Sequence, residues 1–90
     1  MDITHARSAL DRFMGAHEQL TFSLETHENG EWVARCNEIP ALITAGDTTD
    51  PALIQATIKD AILTAAGIDG SFGDEILRDA AIQQTVVLSR

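Results

Sequence analysis

Two alternating segments facing each other across an Asn-Gly pair constrain this chain more than any other feature. In QLTFSLETH (19–27), Leu20, Phe22 and Leu24 alternate with Thr21, Ser23 and Glu25; in EWVARCN (31–37), Trp32, Ala34 and Cys36 alternate with Val33, Arg35 and Asn37. Alternation with period two marks a strand that buries one face. Asn29-Gly30 invites a two-residue type I′ turn, which would pair Glu28 with Glu31 and His27 with Trp32. That register lays Phe22 and Leu24 on the face of Asn37 and Arg35, splitting the apolar residues between the two sides of the sheet. A three-residue loop from Glu28 to Gly30, with Gly30 in the left-handed conformation of a bulge, pairs His27 with Glu31 instead. Leu24 then stands opposite Ala34, Phe22 opposite Cys36 and Thr26 opposite Trp32, while Ser23, Glu25, Val33 and Arg35 share the other face. The second register is the one expected, and it places Cys36 in the core beside Phe22.

The remaining elements follow from punctuation and period. Pro40 cannot donate to a ladder, so Glu38-Ile39-Pro40 is a corner or edge, and ALITA (41–45) is a short third strand. Asp50 is a good N-cap, Pro51 suits the first helical position and Gly67 is a stop. Between them Ile54, Ile58, Ala61, Ile62 and Ala65 form the stripe of a helix that covers the sheet. Upstream, Ala6, Ala9, Leu10, Phe13 and Met14 recur at helical spacing over 4–17, with Arg7, Ser8, Asp11 and Arg12 opposite and Gly15 weakening the end. After the loop IDGSFG, a short helix is expected over 74–83 with Ile76, Leu77, Ala80 and Ala81 inward, and TVVLS closes the chain as a strand. The expected fold is α+β, one domain over 1–90: a three-stranded antiparallel meander, a covering helix and a final strand, with an added N-terminal helix and a short C-terminal helix.

Fourteen acidic residues against six basic ones give a formal net charge of −8. Such a surface repels phosphate backbones and anionic lipid, so binding of nucleic acid or membrane is not expected. The acidic residues are open to two readings, a solvated surface or a docking face for a basic partner. The lone cysteine excludes an intrachain disulfide and fits a reducing compartment. No apolar run approaches the ~20 residues that span a bilayer, and the first residues lack a secretory apolar segment. A cytoplasmic location is expected.

Chemistry-bearing residues do not assemble into a catalytic pattern. Cys36 as a nucleophile would need a base and a partly open, polarising site, yet Arg35 and Asn37 point to the opposite face of the strand. A buried thiol acting as a small hydrophobe is the preferred reading. His5, His17 and His27 lie on two different elements without metal-binding spacing, and His5 and His17 read as solvent-facing. Neither a cofactor nor a metal is expected. Glu25, Glu28, Glu31 and Glu38 form an acidic group on the hairpin, and Asp47, Asp50 and Asp60 another on the helix; the hairpin group is the expected partner-binding surface. Trp32 on the inner face reads as core rather than as an interface anchor.

Residues 29–63, NGEWVARCNEIPALITAGDTTDPALIQATIKDAI, resemble the HicB family of antitoxins and their stand-alone relatives. The matching positions are Gly30, Trp32, Ala34, Glu38, Ile39, Pro40, Gly46, Asp47, Thr48, Ala61 and Ile62. Ala41 stands where the family has glycine, and Asp50-Pro51 where it has an acidic pair. The resemblance implies a HicB-like core over about 19–66 with a partial RNase H-like fold, β-β-β-α-β, lacking nuclease residues. It implies a module that binds and occludes a small basic toxin, an mRNA-cleaving ribonuclease. The family's DNA-binding domain is not expected after Gly67, where a helix and strand over about 72–89 are read instead. On both grounds Phe22, Gly30, Trp32, Cys36, Pro40, Gly46, Asp50, Ile58 and Ile62 form the framework. Two alternatives stand beside the antitoxin reading: a structural or regulatory homodimer or higher homo-oligomer that uses the extra helices and the open sheet edge, and an acidic inhibitor that mimics nucleic acid, such as an anti-defence protein. An enzyme is not expected.

Overall fold

The structure, a computed structural model, describes the backbone of residues 1–80 and 85–89 and the side chains of 1–77. Its elements are α1 (Ile3–Met14), β1 (Gln19–Thr26), β2 (Trp32–Cys36), β3 (Ile43–Gly46), α2 (Pro51–Ala66), a 3₁₀ turn (Gly70–Phe72), α3 (Gly73–Ile76), β4 (Arg78–Ala80) and β5 (Thr85–Ser89). The strands form one antiparallel sheet in the order β3-β2-β1-β5-β4, and the fold is α+β.

The hairpin adopts the register that keeps apolar residues together: Phe22 pairs with Cys36, Leu24 with Ala34 and Thr26 with Trp32. The His27 N–H donates to the Glu31 carbonyl at 2.8 Å, and Gly30 closes the loop at φ 86°. Only glycine takes that left-handed conformation without strain, and it makes the three-residue turn feasible. One face of the sheet consequently buries Leu20, Phe22, Trp32, Ala34 and Cys36. The other face carries Ser23, Glu25, Arg35, Ile43 and Ala45 exposed, with Thr21 and Val33 half-buried.

The helices supply the opposing half of the core. Asp50 caps α2 by accepting from the Ala52 N–H, and Gly67 ends it in the left-handed conformation. Ile54, Ile58 and Ile62 recur every fourth residue and are buried against the sheet, joined by Leu63. Ala65, expected on this stripe, is exposed instead. The helix is turned toward α3, where a Cβ on Gly73 would come within 3.1 Å of Leu63 Cδ1, so Leu63 takes the inward position. In α1, Ala6, Ala9, Leu10 and Met14 are buried, Phe13 is half-buried, and Asp2 caps the start through the His5 N–H. Gly15, at φ 60°, ends α1 before the expected boundary at 17.

The C-terminal region departs most from expectation. The helix read over 74–83 stops at Ile76, Leu77 is already extended at φ −116° and ψ 128°, and Arg78–Ala80 is a strand paired with β5. Ile76 and Leu77 are buried as expected, whereas the Ala80 side chain and Ala81 lie outside the described residues. A single turn contributes little helical stability by itself, and the ladder offered by β5 overrides the helical spacing.

Candidate functional site

Two places on the molecule gather the residues singled out by the sequence, at opposite ends of the β1–β2 hairpin. The first is the corner after β2. There the chain leaves the ladder: the Asn37 N–H still donates to the Thr21 carbonyl at 2.9 Å, but the reciprocal bond is replaced by a side chain. Glu38 Oε1 accepts the Thr21 N–H at 2.6 Å and Oε2 accepts the Thr21 hydroxyl at 2.6 Å. Asn37 Nδ2 donates to Thr21 Oγ1 at 3.0 Å, and the Ser23 hydroxyl donates to Asn37 Oδ1 at 3.1 Å. The donors therefore run in one direction, from Ser23 through Asn37 and Thr21 to the carboxylate. Pro40, exposed, needs no N–H partner in the turn that follows, which closes with the Leu42 N–H on the Ile39 carbonyl at 2.9 Å.

This arrangement separates Glu38 from the rest of the hairpin's acidic group. Its carboxylate substitutes for a missing strand carbonyl, a structural role that the Glu-Ile-Pro sequence does not reveal by itself. Burial pushes its pKa up, but the two hydrogen bonds from Thr21 outweigh that and hold the group below its ordinary value. With the folded pKa depressed, its contribution to stability is present above the unfolded value of about 4.3 and is lost as pH falls through the folded value. Glu38→Gln is expected to lower stability at neutral pH by up to about 1.5–3 kcal/mol, the range for hydrogen bonds to a charged group. Urea midpoints of parent and variant should converge as the pH is lowered below about 4. A constant gap at all pH values would remove the charge from this account.

Cys36 belongs to the same corner and is 3% exposed. Its Sγ lies 3.7 Å from Glu38 Oε1 and accepts the Ile39 N–H at 3.4 Å. Burial pushes the thiol pKa up; the Ile39 and Glu38 N–H groups oppose this and the Glu38 charge adds to it, leaving the pKa raised. A nucleophilic cysteine needs the reverse environment, so the thiol acts here as core.

The second place is the turn end of the hairpin, where a cleft of about 520 Å³ opens between sheet and helix. Leu24 and Thr26 of β1 form one wall with His27, Gly30 and Glu31 of the turn. Thr48 and Thr49 of the β3–α2 loop and Pro51, Ile54 and Gln55 of α2 form the other. Among the described residues β5 pairs with β1 over Gln19–Ser23, the half of β1 away from the turn. Glu25 and Glu28 are exposed beside the turn, with Glu25 Oε1 3.9 Å from His27 Nε2. Asp47 and Asp50, also exposed, flank the loop wall. Of the hairpin's acidic group only Glu31 lines this cleft; Glu28 is exposed in the turn, Glu25 lies on the other face of the sheet, Asp47 and Asp50 are in the adjoining loop, and Asp60 lies on the middle of α2. Sequence reasoning missed Thr49 and Gln55 and singled out Thr48 only through the family resemblance; the return of α2 across the sheet sets all three beside the turn.

Lysine and arginine are distributed unevenly with respect to this cleft. Over residues 13–58 the chain has seven carboxylates, Glu18, Glu25, Glu28, Glu31, Glu38, Asp47 and Asp50, and one Lys or Arg, Arg35. Arg35 sits on the far face of the sheet, and Lys59 Nζ lies 3.3 Å from Asp74. Among the described residues no group of three His, Cys, Asp or Glu side chains is placed to hold a metal ion, and no helix is long and apolar enough to cross a membrane. His5 and His17 are exposed on and after α1, as expected. No protein-family model, curated protein or solved structure matches this chain.

Trp32 is buried behind the loop against Gly46, which is half-buried. Trp32 is 1% exposed, and its Nε1 has no hydrogen-bond acceptor among the described residues. Gly46, paired with Trp32 across β2 and β3, lies so close that a Cβ there would sit 2.8 Å from indole Cε2, Cζ2 and Nε1. The absent side chain is therefore what lets the ring lie under β3 and the 47–50 loop leave at this angle.

Proposed function

We propose that this chain is a non-catalytic protein-binding module of the HicB-like antitoxin type, which binds and occludes a small basic ribonuclease toxin. The observation that carries the reading is the open cleft at the turn end of the hairpin, whose lining among the described residues includes Glu31 and no lysine or arginine, with Asp47 and Asp50 exposed in the adjoining loop and Glu28 in the turn. Complementary charge of this kind steers a basic partner into encounter and disfavours an acidic one. The Trp32–Gly46 contact and the Glu38 corner support the same reading, because they give physical roles to positions through which the sequence resembles that family.

A tagged chain recovered from its native host tests the proposal. The expected result is a co-eluting basic protein of domain size or less, with ribonuclease activity that is silent in the complex and appears when salt separates the two. Recovery of the chain alone, or of a partner whose activity is unaffected by the chain, would overturn it.

One observation favours homo-oligomerisation as a second reading. β3 is an edge strand, its sequence Ile-Thr-Ala-Gly carries no charge or proline to guard it, and Ile43 is 48% exposed. Unguarded edges are sites of strand addition. Light scattering across a concentration series separates the readings, since a monomer at every concentration excludes this one.

A further inference from the structure

We infer that the cleft between the hairpin turn and the start of α2 is a subsite for an arginine side chain of the partner. This rests on the binding-module reading above and specifies the chemistry of its central contact. The cleft, about 520 Å³, falls within the range of sites that enclose a ligand group, about 300–1,000 Å³. Its walls have two characters. Leu24, Pro51 and Ile54 contribute apolar residues to the lining, and Glu31, Thr48 and Thr49 contribute residues that carry oxygen acceptors, with His27 among them.

An arginine has the matching halves. Its three-methylene stem lies along apolar surface while its head stays at the polar rim. The guanidinium is planar, carries five N–H donors and no acceptor, and is less strongly hydrated than an ammonium. One carboxylate flanked by hydroxyl oxygens suits several donors in a plane; lysine's compact charge would use fewer of them. Anions are disfavoured at the same place. The Asp50 carboxylate, between the lining residues Thr49 and Pro51, already accepts the Ala52 N–H at 3.0 Å at the start of α2, and Glu31 supplies the lining's negative charge. Thr48 Oγ1 accepts the Asp50 N–H at 3.1 Å, which holds the loop wall against the helix start.

The probe is the dipeptide N-acetyl-arginyl-leucine amide, titrated into the full ¹⁵N-labelled chain at pH 7.5 and followed by amide shifts. Saturable shifts confined to residues 26–31 and 47–55 are expected. The citrulline analogue, equal in shape but uncharged, should bind about tenfold more weakly, the factor for loss of a charge-assisted hydrogen bond. Glu31→Gln should weaken the arginine peptide by a similar factor. Thr49→Lys, at an exposed position, should abolish its binding by placing a tethered cation in the cleft, with an otherwise unchanged spectrum confirming the fold.

Equal binding of arginine and citrulline peptides, shifts centred on another face, or full binding to Thr49→Lys would each overturn the subsite. If the arginine peptide fails while a basic ribonuclease still co-elutes from the host, the subsite falls and the binding module stands. If the peptide binds as expected while no such partner is recovered, the antitoxin reading falls and the arginine site stands.

Discussion

A Gly46→Val chain is expected to unfold at a markedly lower urea concentration than the parent, because a side chain at this position has nowhere to go. Its first carbon alone would lie 2.8 Å from three atoms of the Trp32 ring, well inside van der Waals contact. The ring cannot swing away, since it is almost fully enclosed, and the strand cannot retreat without breaking its pairing to β2. Overfilling a packed interior costs about 1–3 kcal/mol, and valine's two further methyls place this variant at or above the upper end. A domain of this size has only about 5–15 kcal/mol of stability to lose. Trp32→Leu would open the same space, so valine at position 46 should cost less in that background. Urea unfolding followed by far-ultraviolet circular dichroism, which does not depend on the tryptophan, measures the cycle. A coupling of about 1 kcal/mol or more is expected for residues in direct contact; strictly additive losses would mean that the clash is not what excludes a side chain there.

The second large effect concerns the hairpin. Phe22→Ala is expected to cost about 3–5 kcal/mol, the range for removing a fully enclosed aromatic ring. Phe22 is 0% exposed, between Cys36 across the ladder and the helices above. Glu25→Ala, three residues along and on the opposite face, should change stability by no more than about 0.5 kcal/mol. The contrast reads out the register. Pairing of His27 with Trp32 through a two-residue turn would set Phe22 on the face of Arg35 and Asn37 and make its loss far less costly. Comparable losses for the two variants would contradict the three-residue turn.

That register is legible in the sequence because side chains on a strand alternate, and only one pairing keeps Phe22, Leu24, Trp32, Ala34 and Cys36 on the same side. The covering helix is legible for a similar local reason. Asp50, Pro51 and Gly67 mark its ends by their own backbone chemistry, and Ile54, Ile58 and Ile62 mark its buried side by spacing. The C-terminal segment lacks such signals. Ile76, Leu77, Ala80 and Ala81 fit a helix by spacing, but Arg78–Ala80 extends as a strand because β5 offers it a ladder, and whether β5 has a vacant side is decided by where β1 already lies. Ala65 and Leu63 exchange roles for an equally non-local reason, the arrival of Gly73 beside α2.

For the candidate site the division is sharper. Sequence alone determined that the chain is acidic, that the hairpin turn carries Glu25, Glu28 and Glu31, and that Cys36 faces inward. These follow from composition and from the period of a strand, which are properties of neighbours along the chain. Only the tertiary structure decided that Glu38 leaves this group to bind Thr21, and that Trp32 excludes a side chain from Gly46. It also set Thr48, Thr49 and Ile54 across from Glu31 to make a cleft. These contacts join β1 to the corner after β2, β2 to β3, and the hairpin turn to α2, segments separated along the chain, and no local pattern of residues encodes the distance between them.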